Sequence, residues 1–279
     1  MSIQLIPYKP AGTIGSGPYV LREYKPDTGI DVAALSITYT GAHTDYGMVT
    51  MSDGARYRLL AFTSSGTLSI EQPINCEVCV VGGGANGANA HGNGGAGGAG
   101  AYLKNQSVSA YNGGPVVVGA RQGVSSIADV SVNKVSGQNG GTGGGGYDNG
   151  NGGTGDGLSK YPFGDATYTL WASKPHCAGG GGGVISYKQG DRSYDYYTGG
   201  DGGTNGGNGN KSTLQGSFGP TYSGTPAGTG GTYGGGLGGN NRAGNGSNAT
   251  YYGSAGGGGN SAQGSGYQGI VYIRIPVIQ

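Results

Sequence analysis

Glycine comes in runs in this chain, and the runs limit what it can fold into. Of its 69 glycines, 61 lie between Gly82 and Gly269, beginning with VVGGGANGANAHGNGGAGGAGAY and ending with SAGGGGNSAQGSGYQG. Ordinary proteins hold about 7% glycine, so the runs are either flexible spacers or a folded lattice. Spacing favours the lattice. Gly94, Gly97 and Gly100 fall three apart, as do Gly92, Gly95 and Gly98. Gly140, Gly143 and Gly146 resume at Gly152 and Gly155, and Gly200, Gly203, Gly206 and Gly209 repeat the pattern. A three-residue period matches a polyproline-II-type helix, which rises about 3.1 Å per residue and bonds nothing internally. Its N–H and C=O groups therefore need outside partners, and a residue without a side chain lets a neighbouring helix come close enough to supply them. Strict G-X-Y with abundant proline is absent, since only 11 residues are Pro, so collagen is excluded. The expectation is several polyglycine-II helices lying side by side. Ordering glycine costs more backbone entropy than ordering any other residue, so nearly every buried amide in such a lattice must be paired.

The segments between and around the runs support the same expectation. YPFGDATYTLWASKPH and VISYKQGDRSYDYYT carry bulky residues that a Gly/Ser linker lacks. Apolar β-prone stretches frame the runs, YRLLAFT and CEVCVV before and IVYIRIPV after, and a chain that returns to a strand at its end closes a sheet. The fold class expected is mainly β and irregular, with short β-sheets framing a bundle of packed polyglycine-II helices and long surface loops.

With 34% hydrophobic and 10% charged residues and a net charge of +1, the chain is neither a disordered polyelectrolyte nor a basic nucleic-acid binder. MSIQLIPYKP lacks the basic start and apolar core of a signal peptide, and no apolar run approaches membrane-spanning length. Synthesis in a cytoplasm without membrane insertion is expected. Three cysteines do not suggest a disulfide framework.

Residues 1–56 are poor in glycine, and Pro7, Pro10, Pro18 and Pro26 break any helix. Val32–Thr40 and Gly47–Ser52 alternate as strands do. This stretch reads as a β-rich or extended attachment segment or, equally, as one more pair of strands on the domain formed by residues 57–279. From Tyr57 the order is FTSSGT, a short strand, a strand ending VVGGG, the glycine runs, and a terminal GIVYIRIPV over Gly269–Val277. That order resembles the glycine-rich domains of bacteriophage tail proteins. The run organisation is similar to the distal adhesin of T-even-type long tail fibres. The resemblance covers about Tyr57–Gln279 and implies polyglycine-II helices in a sandwich whose loops at one end bind the host surface. It also implies a virion location at the tail or fibre tip. Residues 1–56 lie outside it.

Other motifs compete. Gly82–Gly87 spells G-x-G-x-x-G after a strand, but the dinucleotide fingerprint needs a following helix and an acidic residue about 20 positions on. ANAHGNGGAGG cannot hold a helix, and the next acidic residue after Glu77 is Asp129. Cys76-x-x-Cys79 with His176-Cys177 offers four zinc-type ligands. In a strand, however, the odd spacing turns Cys76 and Cys79 to opposite faces, so buried thiols acting as small hydrophobes are expected. No nucleophile elbow accompanies His43, His91 or His176. Asp156, Asp165, Asp191 and Asp195 would need to converge for paired-carboxylate hydrolysis. Turn and capping roles suit them better. No enzymatic activity, metal or cofactor is expected.

The remaining signal is aromatic, for the chain has 21 Tyr against three Phe and one Trp. Tyr161, Phe163, Tyr168 and Trp171 crowd one gap between runs. Tyr187, Tyr194, Tyr196 and Tyr197 crowd the next, among Asp191, Arg192 and Asp195. Phe218 and Tyr222 occupy another, and Tyr251 and Tyr252 another still. Tyr with Ser, Gly and Asn is the composition of adaptable recognition loops, so these fifteen residues are the expected receptor contacts, with Asp191–Tyr197 foremost. Some of the rings instead cover the lattice and supply apolar burial that glycine cannot. The expected partners are a neutral host-surface receptor, either a glycan or a protein, and other tail or fibre proteins bound through residues 1–56. Nucleic acid is not an expected partner. The alternative is a purely structural virion or surface protein, and a sugar-releasing depolymerase is the third class.

Overall fold

A computed structural model describes residues 30–89, 95–147, 150–183, 185–189, 193–218, 227–238, 244–259 and 261–277. The protein is mainly β, and the one helical element among the described residues is a 3-10 turn at Pro162–Gly164. No helix among them is long and apolar enough to cross a membrane.

The strands are β1 (Ile37–Tyr39), β2 (His43–Thr50), β3 (Arg56–Phe62), β4 (Gly66–Val81), β5 (Leu103–Val117), β6 (Ser126–Ile127), β7 (Val130–Ser131), β8 (Ile185–Gln189), β9 (Ser193–Thr198), β10 (Thr213–Phe218) and β11 (Ile270–Pro276). One sheet runs β2-β3-β11-β4-β5-β6-β7, with β1 also beside β4, and β10-β9-β8 form a second. The framing strands do meet. β11 lies inside the sheet, antiparallel to β3 (Ile273 opposite Leu60) and to β4 (Ile273 opposite Val78). β1 and β2 are one more pair of strands on this sheet.

The alternation expected over Val32–Thr40 yields strand only at its end. Residues 32–34 form a turn because the Asp31 carboxylate accepts hydrogen bonds from the N–H groups of Ala33 and Ala34, a local closure that competes with a ladder. Gly47 falls within β2 rather than at its start, at a register shift between Asp45 and Met48. The shift interrupts an edge strand, a feature that discourages edge-to-edge pairing.

Both faces of the large sheet are buried at its centre, in β3, β11 and the end of β4. Leu60, Phe62, Ile70, Cys76, Val78, Val80 and Ile273 meet Ile127 and Val130 on one face. Leu59, Ala61, Cys79, Val81, Ile270 and Tyr272 meet Ala85, Ala99, Ala101, Trp171 and Cys177 on the other. Each large apolar side chain so buried contributes about 1.5–3 kcal/mol.

The second face is covered by the glycine-rich segments, whose backbone groups bond from segment to segment. Gly97 N–H donates to Gly145 O (3.0 Å), Gly145 N–H to Gly180 O (2.8 Å), and Gly180 N–H back to Gly98 O (2.9 Å), linking three distant stretches in a ring. Gly179 donates to Gly203, Gly203 to Gly143 and Gly143 to Gly207, one layer further along. The need for glycine here is steric. A Cβ on Gly145 would stand 1.8 Å from Gly200 O, and one on Gly97 1.9 Å from Gly180 O. Neither position has a left-handed φ, so it is the missing side chain that brings the backbones together.

Candidate functional site

Where the glycine segments pass the Tyr272 end of β11, aromatic rings gather into a continuous face. It is built outward from the sheet. Tyr272 projects from β11 and is buried, and its ring meets Trp171 edge-on at 5.6 Å. Trp171 is held by Tyr168 at 4.9 Å and Phe163 at 6.2 Å, and its indole N–H donates to the Asp165 carbonyl. The Arg274 guanidinium lies over the rings of both Tyr57 and Phe163 at 4.4 and 4.5 Å, and its charge is met by Glu77 at 2.8 Å.

On the other side of Tyr272, His176 Nε2 stands 3.0 Å from the Tyr272 hydroxyl. The His176 ring in turn supports Tyr251 (4.8 Å) and Tyr252 (6.1 Å, nearly parallel). From there a row runs outward. Tyr233 meets Tyr251 at 4.6 Å, Tyr251 meets Tyr252 at 5.4 Å, and Tyr252 meets Tyr267 at 5.7 Å. Tyr251 and Tyr252 are half-buried, whereas the row's two ends are open, Tyr233 at 39% and Tyr267 at 37% exposure. The Lys174 ammonium sits 5.6 Å from the Tyr233 ring centre. Exposed Tyr46 of β2 lies near enough to bear on Tyr168, Tyr251 and Tyr252.

The electrostatics keep the rings of this face uncharged. Burial, and secondarily the neighbouring hydroxyls, push the phenols of Tyr168, Tyr251, Tyr252 and Tyr272 upward, so each stays protonated. Burial pushes His176 down to about 3, against a smaller pull from the Lys174 backbone, so the imidazole is uncharged at neutral pH. The face thus presents ring surfaces and protonated hydroxyls, which suit a polar, uncharged ligand.

The residues expected as receptor contacts separate into groups. Tyr251 and Tyr252 stand in the row. Tyr161, Phe163 and Tyr168 are half-buried around Trp171. Trp171 itself is a correction, since it is fully buried and no receptor can reach it in this fold. The glycine segments bring almost no side-chain volume to this core, and the indole fills the gap. On the second sheet, Tyr197 is half-buried. Tyr187, Tyr194, Asp195, Tyr196 and Phe218 are placed there by backbone register alone, with Tyr187 opposite Asp195 and Phe218 opposite Tyr194. Asp191, Arg192 and Tyr222 lie outside the described residues. Tyr233 and Tyr267 were hidden from sequence reading because they fall inside glycine runs, in GGTYGGG and GSGYQG.

The residues of the competing motifs serve the fold. Cys76 lies in one core while Cys79 and Cys177 lie in the other. Burial pushes the thiols of Cys76 and Cys177 up to about 12 and that of Cys79 higher still. Among the described residues, no group of three or more His, Cys, Asp or Glu could hold a metal ion. Residues 82–88 run without helix, so the G-x-G-x-x-G spelling lacks the helix N-terminus that would bind a pyrophosphate. Asp156 accepts from Leu158 N–H and from buried Lys160, and Asp165 accepts from Ser52, Thr167 and Tyr168. Both are turn-stabilising carboxylates. A scan of protein-family models returns no match to this chain, and a search of curated proteins returns none either.

Proposed function

We propose that this chain is a bacteriophage tail-tip or tail-fibre adhesin that binds a host-surface glycan or protein through tyrosine-bearing segments on a polyglycine-II scaffold. The carrying observation is the Tyr233–Tyr251–Tyr252–Tyr267 row, open at both ends and backed by buried His176 and Tyr272. The scaffold reading is supported by the three-residue glycine spacing and by the ring of bonds through Gly97, Gly145 and Gly180. Rings backed by a hydrogen-bonded lattice lose little freedom on binding, and several copies on a virion add avidity. Residues 1–56, whose β1 and β2 belong to the large sheet, also carry the attachment to other tail or fibre proteins, and recognition involves no cofactor and no catalytic step.

Substitution on purified chain and on virions tests the reading. Tyr233→Ala with Tyr267→Ala should lower host-cell binding by about tenfold or more, the loss of two aromatic anchors, with melting and particle assembly unchanged. Tyr194, Tyr196 and Tyr197 changed together to Ala report on the second sheet in the same assay. Full binding in both sets, with particles that fail to assemble, would favour the structural alternative. Sugar release from purified host envelope would favour a depolymerase.

A further inference from the structure

The glycine runs are full of Asn–Gly pairs, the dipeptide most open to spontaneous deamidation, because glycine puts no side chain in the way of the attacking nitrogen. Asparagine is correspondingly one of the thermolabile residues. Seven such pairs fall wholly within the described residues, and the fold treats them differently. Two things are needed for attack: a main-chain N–H free to lose its proton, and a carboxamide free to swing its carbon over that nitrogen.

Four pairs are denied both. Asn86 Oδ1 accepts from Gly266 N–H while Gly87 N–H donates to Gly264. Thr154 grips both halves of Asn139–Gly140, since its N–H and hydroxyl donate to Asn139 Oδ1 and its carbonyl accepts from Gly140. Asn205 Oδ1 accepts from Lys160 N–H, and Gly206 N–H donates to Thr142 Oγ1. Asn208 Oδ1 accepts from Gly155 N–H, and Gly209 N–H donates to Gly153. Two more are half restrained. Gly246 N–H, after Asn245, is bonded to Ala262 O, and Asn112–Gly113 lies within β5, with Gly113 opposite Ser69 in the ladder. The seventh is free. Asn151 is exposed, and neither its side chain nor Gly152 N–H has a hydrogen-bond partner among the described residues.

We propose that Asn151 is the foremost deamidation site among the described residues, converting ahead of every other described Asn–Gly pair. Gly152 N gives its proton to hydroxide and attacks Asn151 Cγ. The new N–C bond forms as the C–Nδ2 bond breaks, and ammonia leaves. Water then opens the cyclic imide at either carbonyl, leaving aspartate or isoaspartate. Isoaspartate lengthens the main chain between Asn151 and Gly152, one residue before Gly153, whose N–H donates to Gly144 and whose carbonyl accepts from Gly209. The conversion therefore loosens two links between glycine segments and adds a negative charge.

The test is to age the full chain in warm, mildly alkaline buffer and locate the amide-to-acid mass gain by fragment ions. Asn151 should convert faster than Asn86, Asn139, Asn205 and Asn208 by about tenfold or more, the spread that local opening of hydrogen-bonded backbone imposes. The lead should vanish in concentrated urea. Equal rates in the folded chain, or the same lead in urea, would overturn the assignment. Aged wild-type protein should melt lower than fresh protein, while aged Asn151→Gln, which closes such a ring far more slowly, keeps its melting point. An equal loss in both would overturn the structural consequence.

Discussion

His176 sets its Nε2 3.0 Å from the hydroxyl of Tyr272, with both residues buried beneath the tyrosine row. Among the described residues its buried Nδ1 has no hydrogen bond of normal geometry, only the weaker pull of the Lys174 backbone. The pair joins β11 to the glycine-rich segments, because His176 N–H donates to Lys160 O and the next residue, Cys177, donates to Tyr252 O. A charge on this ring would sit under Tyr251 and Tyr252 with no counter-ion among the described residues, so the site is built for neutral imidazole.

The first prediction is therefore a loss of stability in mild acid. The pKa of His176 falls from 6.5 to about 3 on folding. Above pH 6.5 both the folded and unfolded forms are neutral, and the neutral-state stability is fully present. Between pH 6.5 and about 3 the unfolded chain binds a proton that the folded chain refuses, so unfolding becomes easier as pH drops, by up to about 1.4 kcal/mol per pH unit. Urea midpoints of the wild type should fall across this window. Those of His176→Gln, which cannot titrate there, should change less. Parallel curves for the two proteins would place the acid sensitivity elsewhere.

The sequence made the frame of this fold legible and hid its connections. Apolar β-prone stretches marked β3, the end of β4 and β11, and the odd spacing of Cys76 and Cys79 told correctly that they face different cores. That β11 inserts between β3 and β4 is a long-range pairing with no local signature. Which glycine segments bond to which was equally hidden, since residues without side chains carry no code for register. The site was half legible. Tyr251 and Tyr252 stood out as a pair, while Tyr233 and Tyr267 join them only because the lattice brings separate runs together. Trp171 misled because aromatic residues between glycine runs look like exposed loops, whereas a glycine-rich layer has to borrow its core volume from those loops.

That reversal at Trp171 is open to measurement. If it is a core residue, Trp171→Ala should cost about 3–5 kcal/mol of stability, as truncation of buried large aromatics does. It should also expose the Tyr168 and Phe163 rings to solvent. Trp171→Phe keeps much of the volume and loses the bond to the Asp165 carbonyl, a net change of about 1 kcal/mol. A Trp171→Ala protein with an unchanged melting point and lost cell binding would restore the residue to the receptor-contact set.

The two kinds of glycine in this protein should respond differently to substitution. At Gly145 a methyl group would stand 1.8 Å from Gly200 O and 2.7 Å from Gly182 N, both backbone atoms fixed by the lattice. Gly145→Ala must therefore push segments apart, at a cost of about 1–3 kcal/mol or more, which lowers Tm by several degrees for a domain of this size. Gly157 has φ +71° and no atom of the described residues within 4 Å of where its Cβ would be, while its N–H donates to Gly206 O. Its glycine serves the backbone angle alone, and asparagine, which tolerates the left-handed region, should replace it for about 1 kcal/mol or less. Thermal melts of the two variants decide the matter. If Gly145→Ala were as mild as Gly157→Asn, the close approach of the glycine segments would not be what holds this layer together.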